Sequence, residues 1–242
     1  MKFHPIRPIH QFFATAPVSC PYLSGGAERK LVVELGGPDG EALFADLSRA
    51  GFRRSHGFAY RPACRGCRKC VPVRIHVEAF QPTRSLRRVA RRNEDLHYAV
   101  LPARATREQY RLFLAYQRQR HGSSDMAEMS FADYRDMVED SPVQTWLVET
   151  RDVEGTLVGG LLVDRTADAL SAAYSFFDPA QPRRSERRQR RQEAERGEAG
   201  ERIPARPTGA IKVHPCFHCV AANAPQAEWM QGVTRQARIV LR

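Results

Sequence analysis

Apolar residues recur along this chain with two different periods, and the change between them organises it. In GEALFADLSRAG, Ala42, Leu43 and Leu47 fall on one side of a helix, with Asp39 before it as N-cap and Gly51 as its stop. The stretch FRRSHGFAYRP alternates and predicts a strand ending at Pro62, and VPVRIHVEAF alternates at period two and predicts another. Residues 84–96, RSLRRVARRNEDL, return to helical spacing, with Leu86, Val89 and Leu96 inward. TREQYRLFLAYQRQRH opens on a capping box, Thr106 and Gln109, and sets Tyr110, Phe113 and Leu114 on one face. SFADYRDMVED starts a further helix at Ser130 and Asp133, with Tyr134, Met137 and Val138 inward. The period then drops to two. QTWLVET, TLVGGLLV and ALSAAYSFF predict three strands joined by short turns around Glu154-Gly155 and Asp164–Asp168, an antiparallel meander. Gly159 and Gly160 inside the middle strand predict a bulge or a close backbone approach.

A helix pair, a meander and the turn DPAQPRRS follow the order of an acetyltransferase-like fold. The next element should be an amphipathic helix, yet ERRQRRQEAERGEAGER has no large apolar residue and so no face to bury. The remaining residues show no sustained period, and Leu241 is their one leucine. The pattern therefore predicts an α+β protein in three parts. Residues 1–80 form a small cysteine-containing module, 81–185 an incomplete acetyltransferase-like (GNAT-like) antiparallel-sheet domain, and 186–242 a basic, low-complexity, disordered tail.

The length of 242 residues and 42% hydrophobic content suit one large domain or two modest ones. No apolar run approaches the ~18 residues of a membrane span. The N-terminal segment is broken by His4, Pro5, Pro8 and His10 and lacks the continuous apolar stretch of a secretory signal. A cytoplasmic protein without a membrane partner is expected, and in that reducing compartment the six cysteines argue for metal binding or buried thiols over disulfides. Of the net charge of +11, +7 lies in residues 183–242. The remainder is focused in RPACRGCRKCVPVR and TRSLRRVARRN.

Cys64, Cys67 and Cys70 form two overlapping Cys-x-x-Cys pairs, and Cys20 offers a fourth thiolate for zinc or an iron–sulfur cluster. Arg65, Arg68 and Lys69 would offset the charge of such a site. A reactive redox thiol and plain structural cysteines remain open alternatives. In the tail, His214, Cys216, His218 and Cys219 have the chemistry of ligands but a doubtful reading frame. Arg84, Arg87, Arg88, Arg91 and Arg92 crowd one predicted helix, either as a solvated face or as a surface for phosphate.

The stretches CPYLSGGAERK, LSRAGFRRSHGFAYRPACRGCRKCVPVRI, RSLRRVARRNEDL, YQRQRHGSSDMAEMSFADY and YSFFDPAQPRRS resemble the bacterial aspartate/glutamate leucyltransferases, a branch of the arginyl-tRNA–protein transferase family. The resemblance covers about residues 9–185. It implies transfer of leucine from Leu-tRNA to proteins whose first residue is Asp or Glu, marking them for N-end-rule degradation. It also implies a cysteine-bearing N-terminal module followed by an acetyltransferase-like domain, and it favours a cluster on Cys20 and the Cys64–Cys70 group. After Ser185 the family pattern of an amphipathic helix, a Leu-Gly-Tyr-Trp-type strand and a Tyr-Lys segment is missing. The abrupt switch to Arg/Glu/Gln/Ala-rich sequence has the character of a reading-frame shift, with a divergent tail as the alternative.

The implied chemistry assigns tasks to residues. An activated ester needs no further energy donor or cofactor, and a free α-amine with a pKa near ~8 is already partly neutral at physiological pH. The acidic acceptor side chain calls for an arginine fork, for which Arg53 and Arg54 are candidates, with Tyr60 and Arg61 beside them. Arg87, Arg88, Arg91 and Arg92 are candidates for tRNA phosphates. Tyr174 and Asp178, at the end of the meander, are candidates for the reacting centre, although Asp178 also reads as a turn residue before Pro179. An inactive remnant that binds tRNA or protein without transfer is the alternative reading.

Overall fold

The computed structural model describes residues 10–70, 72–76, 80–122, 124–181 and 238–241. Its N-terminal part is built on four strands, β1 (Phe12–Ala14), β4 (Lys30–Glu34), β5 (Arg53–Ser55) and β6 (Phe58–Pro62), in the order β1-β4-β6-β5. All neighbours in this sheet are antiparallel. Between β1 and β4, β2 (Val18–Ser19) and β3 (Ala27–Glu28) pair as a separate ribbon. Helix α1 (Gly40–Arg49) closes a small core of Val33, Leu35, Phe44, Leu47, Phe52, Ala59 and Val143. The buried stripe of α1 is Gly40, Phe44, Leu47 and Ser48, whereas Ala42 is exposed. The helix is rotated from the expected stripe because a phenyl ring gains more from leaving water than an alanine methyl. Gly51 ends it at φ 84°, and the Phe52 N–H donates to the Leu47 carbonyl at 2.9 Å.

The stretch expected as one strand, FRRSHGFAYRP, is instead the hairpin β5–β6, turning at His56 and Gly57. His56 takes φ 50°, a left-handed conformation that a side chain larger than glycine seldom adopts.

The second sheet has six strands in the order β7-β12-β11-β10-β9-β8. They are β7 (Val73–His76), β8 (His97–Pro102), β9 (Thr145–Arg151), β10 (Leu157–Arg165), β11 (Ala169–Phe177) and β12 (Arg238–Leu241). Strands β9, β10 and β11 form the expected meander, and β8 adds an antiparallel edge. Helices α2 (Arg84–Arg92), α3 (Arg107–His121) and α4 (Phe131–Glu139) complete the unit, with α3 packed on β10 and β11. The Thr106–Gln109 and Ser130–Asp133 capping boxes form as expected. Tyr134, Met137 and Val138 of α4 point inward and join Phe113, Tyr116, Leu147, Leu162, Phe176 and Phe177 in the larger core. The Phe113 ring lies 5.0 Å from Tyr134 and 5.8 Å from Phe176, centroid to centroid.

Three expectations are corrected here. Helix α2 stops at Arg92, and the buried Asn93 turns its amide back to the Val89 carbonyl at 2.8 Å, so Leu96 lies beyond the helix. Asp164 belongs to β10 and not to the following turn, for a reason given below. Four residues of the tail, Arg238–Leu241, form β12, which pairs parallel to β11 and antiparallel to β7. The rest of the tail, including His214, Cys216, His218 and Cys219, lies outside the described residues. Among the described residues no helix is long and apolar enough to cross a membrane.

Candidate functional site

Strand β5 presents two adjacent arginines to opposite sides of its sheet, because successive strand residues alternate. Arg54 faces inward. Its Nε donates to Asp164 Oδ2 at 2.9 Å and its Nη2 to Asp164 Oδ1 at 2.7 Å, and both side chains are withdrawn from water, 1% and 0% exposed. Nη1 donates to the His56 carbonyl at 3.1 Å. A guanidinium enclosed and satisfied in this way has no fork left for a substrate carboxylate, so Arg54 leaves the acceptor-binding set. Arg53, on the outward side, is half-buried and stands directly across the ladder from Tyr60. The Lys30 ammonium lies 5.4 Å from the Tyr60 ring centre, so two cations flank this tyrosine. Arg61 sits on the other side of the sheet, its guanidinium 5.1 Å from the Phe52 ring and 3.4 Å from the Ala50 carbonyl. Arg53, Tyr60 and Lys30 therefore share a surface, and Arg61 does not.

Cys70 feels the charge of the other three cysteines. Partial enclosure of its sulfur raises the Cys70 thiol above its ordinary value, the Arg53 charge pulls it down, and Cys64, Cys20 and Cys67 push it further up. Cys20, distant in sequence, is thus in the same electrostatic neighbourhood as the Cys64–Cys70 loop. Hydrogen bonds anchor each segment: the Cys20 N–H donates to the Gly26 carbonyl at 2.9 Å, and the Cys64 thiol to the Arg29 carbonyl at 3.7 Å. All four are free thiols. The donor set suits a thiophilic metal, although among the described residues no three such groups stand close enough together to hold one.

Helix α2 buries Val89 and half-buries Leu86, leaving Arg84, Arg87, Arg88, Arg91 and Arg92 exposed. Its N-cap is Thr83, whose hydroxyl accepts from the Leu86 N–H at 3.3 Å. Arg87 Nη1 bonds the Pro82 carbonyl at 2.6 Å.

At the end of the meander, Tyr174 is half-buried and its hydroxyl accepts from Gln117 Nε2. Gln117 is 1% exposed, with Nε2 also 3.8 Å from Met126 Sδ and Oε1 lacking a protein partner. Asp178 is engaged in the turn: Oδ1 accepts from the Ala180 N–H at 2.8 Å and Oδ2 from Gln181 Nε2 at 3.1 Å. The turn reading of Asp178 therefore accounts for both oxygens.

Residue patterns did not point to Gln117, Glu149 or Asp164, because helix and strand periods mark apolar positions and these are buried polar ones. Gln109 is a partial exception. Its Oε1 completes the capping box at 2.8 Å, and the same amide donates to the buried Glu149 Oε1 at 2.7 Å. Arg151 then bridges Glu149, at 2.8 Å, and Glu108, at 2.7 Å.

Residues 18–88 match the family described as Arginine-tRNA-protein transferase, N terminus, and residues 108–186 match its C terminus. The chain belongs to this family. An aspartate/glutamate leucyltransferase of Paramagnetospirillum magneticum is 55% identical over 179 residues, covering 74% of this chain and 73% of the relative. The protein of that name from Rhodospirillum rubrum is 54% identical, with the same coverage of each chain. One from Azorhizobium caulinodans is 49% identical over 74% of this chain and 76% of its own. Among solved structures, L-PGS from Bacillus licheniformis superposes with a TM-score of 0.40 at 10% identity, over 85% of this chain and 51% of that one. The first family match spans β2 to β7 and so takes in β4, β5 and β6 of the first sheet and β7 of the second, whereas the second match spans α3 to β11 and takes in β9, β10 and β11 of the second sheet.

Proposed function

We propose that this chain is an aminoacyltransferase that moves leucine from Leu-tRNA to the α-amine of proteins beginning with Asp or Glu, marking them for N-end-rule degradation. The observation that carries the reading is the family match through both sheets, together with relatives named aspartate/glutamate leucyltransferase. In the reaction the acceptor amine nitrogen attacks the ester carbonyl. A C–N bond forms, the C–O bond to the terminal ribose breaks, and the amine proton passes to the departing ribose oxygen. The ester is already activated, so the main requirement is to hold both reactants in register.

Arg53 is our candidate for the acceptor carboxylate, supported by its outward position, the facing Tyr60 and the neighbouring Lys30. Arg87, Arg88, Arg91 and Arg92 are candidates for tRNA phosphates, supported by their exposure on one short helix. Tyr174 is the candidate for the reacting centre, where an O–H held by Gln117 would donate to the developing oxyanion. Cys20, Cys64, Cys67 and Cys70 are the residues that would hold zinc or an iron–sulfur cluster. Such a group would tie the turn between β2 and β3 to the loop after β6, and no step of the transfer runs through it. The six-stranded sheet with α3 and α4 reads as acetyltransferase-like, supported by the meander and by the strand parallel to β11 that completes it. A frame shift after Ser185 is supported by the family match ending at residue 186.

The test is transfer of labelled leucine from charged tRNA to peptides starting with Asp, Glu or Ala. Labelling of the first two, lost in Arg53→Ala, is expected. Binding of tRNA with no labelled peptide would replace the transferase reading with that of a binding remnant.

A further inference from the structure

The two sheets meet at a buried ion pair whose partners lie 110 positions apart. Around Arg54 and Asp164 the contacts cross between units, fix a turn or tie neighbouring strands of the second sheet. Asp164 Oδ1 also accepts from Thr145 Oγ1 at 2.9 Å, so the carboxylate ties β10, the start of β9 and β5 together. Arg54 holds the carbonyl of the strained His56, which sets the β5–β6 turn. The other crossings are more peripheral. Arg49 reaches Asp168 at 3.2 Å in an exposed pair, and Glu41 accepts the Gln144 N–H at 3.0 Å. Val143 inserts from the second unit into the small core of the first.

Enclosing two charges costs about as much as their attraction returns, so such a pair is poor evidence for stability and better evidence for a fixed arrangement. We propose that Arg54 and Asp164 are positioning residues that set the β5–β6 hairpin in register against β10. The hairpin carries the Arg53–Tyr60 pair, and β10 is hydrogen-bonded to β11, which carries Tyr174. A slip at the lock would move the acceptor's carboxylate site relative to the reacting centre without touching either. This step rests on the proposed role of Arg53, while the lock itself can be tested without it.

Three variants decide it: Asp164→Asn, the apolar pair Arg54→Met with Asp164→Leu, and Arg53→Ala. Amide exchange and steady-state transfer to an Asp-initiated peptide are both measured on the full chain. In D164N, hairpin amides should exchange roughly tenfold faster while α3 and α4 keep their protection. The acceptor KM should rise about tenfold, with kcat and the Leu-tRNA KM changing less than about threefold. The apolar pair should reproduce that KM rise while melting like the parent. Unchanged hairpin exchange in D164N, or exchange that rises evenly over the whole chain, would overturn the lock. So would a folded apolar pair with the parent's KM in a protein whose acceptor KM Arg53→Ala does raise. If Arg53→Ala leaves the acceptor KM alone while the hairpin still loosens in D164N, the lock stands and the acceptor reading fails.

Discussion

A Cβ at Gly160 would enter the ring of Phe176, its partner across the ladder, with Cε1 and Cε2 each 2.9 Å away. Phe176 is itself 2% exposed and packed against Phe113 and Tyr134, so the ring has nowhere to retreat. Gly160→Ala should therefore lower unfolding stability by about 1–3 kcal/mol through overpacking, read from a urea melt. Gly159-Gly160 was legible as a bulge or a close backbone approach, and the ladder shows both, a register shift at Leu157/Gly159 and the ring against Gly160; which ring fills it was not legible, because register depends on pairing with β11. Glu108 gives a second test at this scale. Its hydrogen bonds to Arg151 hold its carboxyl below the ordinary glutamate range. A lowered folded-state value means stability that is complete at neutral pH and down to the ordinary range, then lost as pH falls through the lowered value. Because the Glu108 side chain is 49% exposed, the effect should stay below about 1 kcal/mol. Glu108→Gln should flatten the acid limb of the stability profile by that amount and leave the alkaline limb unchanged.

Helices were the most legible elements. The boxes at Thr106 and Ser130 fixed two starts, and the inward face of α4 followed from spacing alone; in α3 spacing found Phe113, but Tyr110 and Leu114 are only half-buried and the buried Tyr116 was not among the expected positions. Short strands were less legible. The β5–β6 turn was hidden because His56 does not advertise a left-handed residue, and β8 was missed because its half-exposed edge carries a weak alternation. For α2 the spacing placed Leu86 and Val89 correctly, and the excess of arginine defines a prediction for the helix as a unit. Replacing Arg88 and Arg91 with glutamine keeps a good helix former at both positions. If each meets one tRNA phosphate, the slope of log affinity against log salt should fall in magnitude by about 1.5 for the pair. Filter binding across a salt series measures it. A slope equal to the parent's would make these side chains a solvated face only.

What the sequence hides at the scale of the molecule is long-range pairing. Arg54 and Asp164 read separately as an acceptor ligand and a turn residue, and only their meeting shows that they join two sheets. The same holds for β12, whose four residues lie in a segment without periodicity yet sit between β11 and β7. That position makes β12 the one link from β7 to the rest of the six-stranded sheet among the described residues. Deleting Arg238–Arg242 should then have two consequences that a dispensable tail would not. Backbone groups of Ala169, Leu170 and Ser171 in β11 and of Val73–His76 in β7 lose their partners, so their amides should lose protection while those of β9 do not. The exposed edge of β11 is also a template for another strand. The shortened chain should associate with rising concentration in sedimentation, whereas Gly160→Ala, which opens no edge, should not. Unchanged protection at β7 together with the parent's association state would show that β12 contributes nothing to the closure of the sheet.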